Sequence, residues 1–254
     1  MTTILTTIDL SWILAKKGFQ VRYKRALFGV AWALVQPIAQ ATVMAVVFSV
    51  AFDASTGIQH YPMYVLSGIF PWAFFAQGTT TSLTAALDNA SLLKKVAVAK
   101  IVFPASAAGT AIIGFACGVP VLVAGAVLAH EASLRLLVLP VALGFEALLI
   151  LGLGMLLGAF HPAFRDVRYL LDVVLTAAVY ITPIAYDPAG RSPRLAEVLR
   201  WNPMTGVLAV FRWSLIGRPM DGQAVAISAA ITAALVVLGG IAYHTRADEF
   251  ADLV

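Results

Sequence analysis

The amino-acid sequence predicts an all-α polytopic membrane protein, and three observations lead to this fold class. Hydrophobic residues make up 61% and charged residues only 12% of the 254 residues, and the mean hydropathy is +0.90. A soluble domain of this length needs more charged residues to cover its surface. The apolar residues form about six runs separated by short polar joints. Each run approaches the roughly 20 residues that a helix needs to cross a bilayer core about 30 Å thick.

Residues 1–28 predict an amphipathic helix that lies in the cytoplasmic interface and does not span the membrane. Apolar residues recur there at intervals of three or four and form one helical stripe, which consists of Ile8, Trp12, Ala15, Phe19 and Tyr23. Lys16 and Lys17 lie off this stripe, as in helices that rest on a membrane surface. The helix serves either as a plain anchor or as a surface that contacts a partner.

Six transmembrane helices are predicted after this segment. Their approximate bounds are residues 29–51, 62–87, 102–129, 134–160, 169–187 and 223–243. Helices are expected because a single segment in lipid must satisfy its own backbone hydrogen-bonding groups. Lys and Arg residues are concentrated in the N-terminal segment and in alternate loops, which by the positive-inside rule places both termini in the cytoplasm. Basic residues at the membrane edges indicate anionic lipids as partners and argue against nucleic acid.

Residues 188–217 predict two short outer helices before the last span. Ser192 followed by Pro193 favours a helix start, and that helix is expected to end near Asn202 and Pro203. Residues 204–216 form a second apolar run that is too short to cross the bilayer and is typical of an interfacial or re-entrant helix. The arginines of this segment would lie outside, an exception to the positive-inside rule that the other loops outweigh.

Several classes of catalytic site are absent from the sequence. The chain contains no glycine-rich phosphate-binding loop that ends in Gly-Lys-Ser or Gly-Lys-Thr, so it is not expected to be an enzyme that hydrolyses ATP. The four histidines lie at span ends or in loops, and no cluster of His, Cys, Asp and Glu has the spacing of metal ligands. Cys117 is the single cysteine, which excludes a disulfide within the chain.

Two acidic residues, Glu146 and Asp172, fall inside predicted spans, where ionisable groups are costly and often functional. Asp172 lies one helical turn after Arg168, so we expect the two side chains to form an ion pair near the headgroups. For Glu146, a functional role and a structural hydrogen bond both stay open.

Seven segments, taken together and in order, carry a family resemblance. They are residues 20–37 (QVRYKRALFGVAWALVQP), 61–75 (YPMYVLSGIFPWAFF), 89–104, 164–171 (FRDVRYLL), 180–186 (YITPIAY), 201–217 and 243–250. The set resembles the membrane subunit of bacterial ABC exporters of cell-surface polysaccharides, the O-antigen and teichoic-acid type permeases. The likeness extends over nearly the whole chain.

This resemblance implies a permease half that forms a homodimer and pairs with a separate ATPase subunit. ATP and Mg²⁺ would bind to that ATPase, and this chain would carry no cofactor. The dimer would move a lipid-linked polysaccharide outward across the bacterial inner membrane, with the two outer helices acting as gates. An exporter of drugs or other lipids with the same architecture is the alternative.

The resemblance also implies that residues 88–98 form a coupling helix that contacts the ATPase. The predicted coupling residues are Asn89, Leu92, Leu93, Lys94, Lys95 and Val96. Asn89 is suited to cap the helix, and the apolar members would contact a groove of the ATPase. The two lysines either take part in coupling or serve as anchors at the cytoplasmic membrane edge.

The predicted translocation path combines aromatic rings, which stack on the C–H faces of sugars, with amides that bind hydroxyl groups. Gln36 and Gln40 share one face of the first span with Trp32, and amides that faced lipid would be unsatisfied. By the family resemblance, the first and fifth spans line the pore. The predicted path residues are Trp32, Gln36, Gln40, Phe70, Trp72, Phe74, Phe75, Tyr180, Tyr186 and Trp201. For the outer aromatics, a place in the interfacial aromatic belt stays open.

Two groups of basic residues are candidates for binding the pyrophosphate or headgroup of a lipid-linked substrate, because guanidinium forks match phosphate oxygens. The first group is Arg165 with Arg168, although Arg165 and Asp166 are equally suited to cap the fifth span. The second group follows the N-terminal helix and consists of Arg22, Lys24 and Arg25.

Overall fold

The computed structural model of the protein describes residues 2–24, 26–90, 92, 99–188 and 192–246. These residues form nine α-helices and, within the described ranges, no strand, which confirms the all-helical fold class. The helices are α1 (Thr2–Tyr23), α2 (Trp32–Phe52), α3 (Tyr61–Asp88), α4 (Val102–Leu128), α5 (Leu139–Gly158), α6 (Asp166–Ile181), α7 (Pro193–Leu199), α8 (Pro203–Ile216) and α9 (Gly222–Arg246). Two 3-10 turns, Gly29–Ala31 and Leu134–Val138, lead into α2 and α5.

Among the described residues, four helical segments are long and apolar enough to cross a membrane: Gly29–Phe52, Val102–Leu128, Leu134–Gly158 and Gly222–Arg246. They coincide within a few residues with four of the six predicted spans. The other two predicted spans contain α3 and α6, and α6 ends at Ile181, six residues before the predicted bound of 187. It ends early because Thr182 precedes Pro183 and takes an extended backbone (ψ 134°), as residues before proline prefer.

The central helix of the bundle is α3, which packs against α2, α4, α5, α6 and α8. The buried ring of Phe74 lies 5.5 Å from that of Phe115 in α4, and the Phe115 ring lies 5.2 Å from that of Phe211 in α8. Gly114 of α4 leaves room for these rings, since a Cβ there would stand 2.7 Å from the Phe74 ring. The bundle end where α3 begins carries α8, and the end where α3 stops carries α1. These are called the α8 end and the α1 end.

The closest backbone approach joins α5 to α9. A Cβ at Gly152 would stand 2.7 Å from the backbone nitrogen of Val236, and a Cβ at Gly239 would meet the carbonyl oxygen of Gly152. Helices in a membrane approach this closely only where small residues face each other. The pair α5 and α9 is therefore held together by backbone-to-backbone packing.

Residues 182–186 form an irregular segment at the α8 end. Three side chains donate hydrogen bonds to its carbonyl groups: Tyr61 to Ala185 (2.7 Å), Tyr64 to Tyr186 (2.9 Å) and Arg212 to Ile184 (2.7 Å). The guanidinium of Arg212 also lies over the ring of Tyr64, 3.7 Å from its centroid. Non-helical backbone in a membrane protein needs partners of this kind, and they tie α8 to α3.

The short helices α7 and α8 begin where the sequence predicts. The Ser192 hydroxyl accepts a hydrogen bond from the N–H of Leu195, and the Asn202 side chain accepts one from the N–H of Met204. Of the two expected positions for the second helix, interfacial or re-entrant, packing into the bundle fits the re-entrant one better, because α8 packs against α3, α5 and α9 and buries Phe211 completely. Its apolar residues belong to the protein core.

The N-terminal helix α1 packs against α4 at the α1 end. Ala15 is fully buried, and its carbonyl accepts a hydrogen bond from the Thr110 hydroxyl at 3.1 Å. The predicted stripe does not act as one surface, since Ile8 and Trp12 are 59% and 45% exposed. The smaller residues face α4 because they permit close packing, and the larger ones stay outside.

Candidate functional site

A groove of about 780 Å³ lies between α2, α3 and α6, with the last turn of α1 at one end. On α2 it extends from Trp32 to Gln40, which corresponds to about 12 Å of helix. It therefore occupies the part of the bundle nearer the α1 end. The predicted path residues Trp32, Gln36, Gln40, Trp72, Phe74 and Tyr180 all line it.

The α2 wall of the groove follows the predicted four-residue spacing. Gln36 and Gln40 are exposed, and neither amide forms a hydrogen bond within the described residues. Trp32 is 43% exposed and meets the ring of Phe28 edge-on at 5.6 Å. Two amides on an outer surface of an apolar helix require polar surroundings, because lipid offers no hydrogen-bonding partner.

The α3 wall adds polar residues that the sequence analysis missed: Gln77, Thr80 and Thr81. The hydroxyls of Thr80 and Thr81 donate to backbone carbonyls four residues earlier, at 3.0 and 2.8 Å. Their oxygens keep acceptor capacity towards the groove. Spacing of three and four residues in an otherwise apolar helix is the signal that would have identified this wall.

The α6 wall carries Asp172, Thr176 and Tyr180 at four-residue intervals, which places them on one helix face. The expected ion pair between Asp172 and Arg168 is absent: in the described part of the chain Asp172 has no ion-pair partner. An acidic residue that follows its basic partner along a helix has the weaker of the two orientations. The Asp172 side chain lies in the groove instead.

The α1 end of the groove is marked by Arg22. Its Nη2 atom donates a hydrogen bond to the Thr81 hydroxyl at 3.0 Å, so the guanidinium belongs to the groove. Lys24 follows the end of α1, and Arg25 lies outside the described residues. The structure thus brings one member of the second basic group into the groove.

The first basic group lies elsewhere. Arg165 and Arg168 belong to the start of α6 and do not line the groove. Burial and, next, the positive charge of Arg168 lower the pKa of His161 in the preceding connection. Asp166 is in the first turn of α6, but the Arg165 side chain makes no capping hydrogen bond there.

Four predicted path residues do not line the groove. Phe70 is fully buried and faces Gly118 of α4, and Phe75 is buried with its ring 5.6 Å from that of Trp72. Tyr186 lies at the α8 end, where its hydroxyl donates to the Ile181 carbonyl at 2.6 Å. Trp201 is 68% exposed between α7 and α8.

The predicted coupling segment is described only at its start. The Asn89 side chain donates to the Ala85 carbonyl at 2.8 Å at the end of α3, and the helix that Asn89 was predicted to cap lies outside the described residues. Leu92 is half-buried and packs with Phe103 and its buried neighbours in the helix bundle. The remaining predicted coupling residues, Leu93, Lys94, Lys95 and Val96, lie outside the described residues.

Glu146 of α5 is not part of the groove. Its side chain is 1% exposed, and neither carboxyl oxygen has a hydrogen-bonding partner among the residues that the structure describes. It lies in apolar surroundings beside Phe74, which separates it from the groove. The described part of the chain thus offers Glu146 none of the structural hydrogen bonds that the sequence analysis left open.

Residues 9–216 match the ABC-2 type transporter family. The chain belongs to this family. Similar proteins include an O-antigen export system permease protein RfbA of Klebsiella pneumoniae, 23% identical over 248 residues that cover 97% of this chain and 95% of the relative. Another, also named O-antigen export system permease protein RfbA, is from Myxococcus xanthus and is 24% identical over 95% of this chain and 94% of the relative.

The part of the chain that matches the ABC-2 family contains the whole groove. All of the residues that line it lie between Arg22 and Tyr180, inside the matched range 9–216. The helix α9 lies outside that range. The range that matches the family extends from α1 to α8, and the four helices that line the groove are among them.

Proposed function

We propose that this ABC-2 type protein is the permease half of an ATP-driven exporter that moves a lipid-linked polysaccharide outward across a bacterial inner membrane. The groove is the observation that carries the proposal. In a chain with 61% hydrophobic residues, it collects aromatic rings, amides and hydroxyls from three helices along one path. The relatives named as O-antigen export permeases, matched over nearly their full length, support this substrate class.

The chemistry of the groove suits a glycan. Trp32, Trp72 and Tyr180 offer ring faces for the C–H faces of sugars, and they are the part of the site that tolerates different sugars. Gln36, Gln40 and the groove threonines offer donors and acceptors for hydroxyl groups. A polymer that slides needs many weak contacts of this kind, because a few strong ones would hold it in place.

The proposal also assigns the arrangement in the membrane. With α3 and α6 as the second and fifth spans, the chain crosses the bilayer six times and the α1 end faces the cytoplasm. The 16 residues of α6 cover about 24 Å, and the irregular segment 182–186 continues towards the outside. α7 and α8 then lie at the outer end, where gates are expected.

A second copy of the chain would close the groove into a channel. This is supported by Gln36, Gln40 and Asp172, which are exposed polar residues on the outer surfaces of α2 and α6. ATP and Mg²⁺ would bind to a separate ATPase subunit, and this chain would contribute no catalytic residue. Leu92, which belongs to the expected coupling segment, packs against the same buried residues as Leu14 of α1, and this supports a coupling contact at the α1 end.

Within this proposal, Arg22 binds the pyrophosphate of the lipid carrier. Its guanidinium lies at the α1 end of the groove, where a substrate enters from the cytoplasm, and Thr81 orients it. Arg165 and Arg168 do not reach the groove. A guanidinium that donates to a charged oxygen forms one of the stronger hydrogen bonds in proteins.

The test is ATP hydrolysis by the permease and the ATPase encoded beside it, purified together in lipid nanodiscs and titrated with lipid-linked glycan. Wild-type protein should form a stable complex of two copies of each subunit, and glycan should stimulate hydrolysis. Arg22→Gln should raise the glycan concentration for half-maximal stimulation about tenfold or more, the effect of losing one charged hydrogen bond. Arg168→Gln is the matched control and should leave that concentration unchanged.

Two results would contradict the proposal. If no ATPase co-purifies, or if hydrolysis responds to hydrophobic drugs and not to glycan, the polysaccharide assignment fails. If Arg168→Gln weakens the response and Arg22→Gln does not, the permease assignment stands and the pyrophosphate site must be sought at the connection between α5 and α6.

A further inference from the structure

We propose that the groove selects an uncharged glycan and that Asp172 is the residue that rejects polyanionic polymers such as chains of glycerol phosphate. This inference rests on the proposed function, since it names the charge class of the polymer that the groove carries. Asp172 was expected to be neutralised by Arg168, and the structure assigns it to the groove wall without that partner.

The charges of the groove support this selection. Among the described residues that line it, Arg22 is the single cation and Asp172 is the single carboxylate. Arg22 lies at the α1 end, where it donates to Thr81. The remaining polar lining consists of neutral amides and hydroxyls. A polymer with a phosphate in every repeat would find no further cation beyond the entrance.

The position of Asp172 makes each repeat pass it. Asp172, Thr176 and Tyr180 occupy successive turns of α6, so the carboxylate precedes the hydroxyl and the ring by about 6 and 12 Å along the helix. A sugar hydroxyl donates to a carboxylate oxygen in a charge-assisted hydrogen bond. A phosphodiester at the same place meets a like charge beside protein walls, where the effective dielectric constant is lower than in bulk water and the repulsion is stronger.

The neutral partners around the carboxylate fit the same conclusion. Gln36, Gln40 and Gln77 each offer both a donor and an acceptor, so they bind hydroxyl groups in either direction. A site built for phosphate would present guanidinium or ammonium groups along its length. If the groove is shared with a second copy of the chain, that copy contributes a second Asp172 and strengthens the discrimination.

The experiment compares two probes of matched length that carry the same uncharged dye, a maltooligosaccharide and a glycerol phosphate oligomer. Their binding to the full-length permease with its ATPase in nanodiscs is measured by fluorescence anisotropy at low salt. Wild-type protein should bind the maltooligosaccharide at least about tenfold more tightly, because like-charge contacts penalise the wrong ligand. The ratio of the two affinities should become smaller at high salt, which screens the repulsion.

Variants of Asp172 identify the residue responsible. Asp172→Asn should reduce the discrimination about tenfold, Asp172→Lys should reverse it, and Asp172→Glu should keep it. Asp166→Asn removes a carboxylate from the first turn of the same helix, outside the groove, and should change nothing. Size-exclusion chromatography of each variant shows that the complex is intact.

The outcomes separate this inference from the function on which it rests. If wild-type protein binds neither probe, the groove is not a glycan path and both proposals fail. If it binds the glycerol phosphate oligomer as tightly as the maltooligosaccharide, the permease function stands and the charge selection is overturned. The selection is also overturned if the ratio of the affinities for the two probes is the same in Asp172→Asn and Asp166→Asn as in wild type.

Discussion

The helices α9 and α6 both present an exposed face, but the two faces differ in composition. Between Gln223 and His244, every exposed residue of α9 is Ala, Val, Leu or Ile. Its hydroxyl-bearing residues Ser228 and Thr232 are buried against the bundle. The exposed face of α6 mixes apolar residues with Asp172 and Thr176.

This difference shows which surfaces lipid covers. An apolar face of α9 is satisfied by hydrocarbon, and its polar atoms are turned inward because lipid offers them no partner. A carboxylate and a hydroxyl on α6 need water, polymer or another chain. The helix α9 is thus a lipid-facing wall of the bundle, whereas α6 contributes a wall of the polar groove. Their substitutions should accordingly damage different properties.

The largest effect is expected for Gly239→Ala in α9, which should destabilise the folded protein. The added Cβ would meet the carbonyl oxygen of Gly152 and stand 3.0 Å from the nitrogen of Leu156, and backbone atoms cannot rotate away. Overpacking of this kind costs about 1–3 kcal/mol or more. The check is the unfolding temperature and the monodisperse yield in mild detergent.

The neighbouring glycine is the control for that prediction. A Cβ at Gly240 would stand 4.0 Å from the Met155 methyl group, which is ordinary contact. Gly240→Ala should therefore be neutral or slightly stabilising, because alanine favours helix by about 1 kcal/mol over glycine. If Gly239→Ala and Gly240→Ala have the same unfolding temperature and yield, backbone contact with α5 does not hold α9 in place.

A smaller and purely functional effect is expected for the double variant Gln36→Leu, Gln40→Leu. It should insert and unfold like wild type, since both amides are exposed and form no hydrogen bond in the described residues. Glycan-stimulated ATP hydrolysis should fall about tenfold or more, the loss of two hydrogen bonds of about 1 kcal/mol each. Thr42→Leu removes a polar group from the same helix outside the groove and should retain activity. Full activity of the double variant would show that α2 does not contact the polymer.

The smallest effect is expected for Glu146→Met. Replacing a buried, unpartnered carboxyl by an apolar side chain of similar size is neutral or stabilising, so the unfolding temperature should stay level or rise. Glycan-stimulated hydrolysis should equal that of wild type, because Glu146 lies behind Phe74 and outside the groove. If the Glu146→Met protein folds but glycan no longer stimulates its ATP hydrolysis, the buried carboxyl takes part in transport. Residues behind the groove would then contribute to function together with those that line it.

Local patterns predicted the groove wall of α2 but placed all four aromatics of α3 in the path, although only Trp72 and Phe74 line the groove. Trp32, Gln36 and Gln40 stand out because they are the large and polar residues of an apolar helix, and helical periodicity alone puts them on one face. Phe70, Trp72, Phe74 and Phe75 are all apolar neighbours on a helix that is packed on nearly every side. Polar and apolar positions do not alternate around this part of α3, so the sequence does not reveal which of its rings face the groove.

The sequence by itself determined the helical class, the number of apolar runs and the cap of α7 at Ser192, because these depend on residues close together in the chain. Tertiary structure decided that Asp172 and Arg22 lie in the groove, that Arg168 does not, and that α8 is core. These outcomes depend on how each helix is rotated against its neighbours. That rotation is set by contacts such as the glycine approach of α5 to α9 and the hydrogen bonds of Arg212 and Thr81, which join residues far apart in the chain.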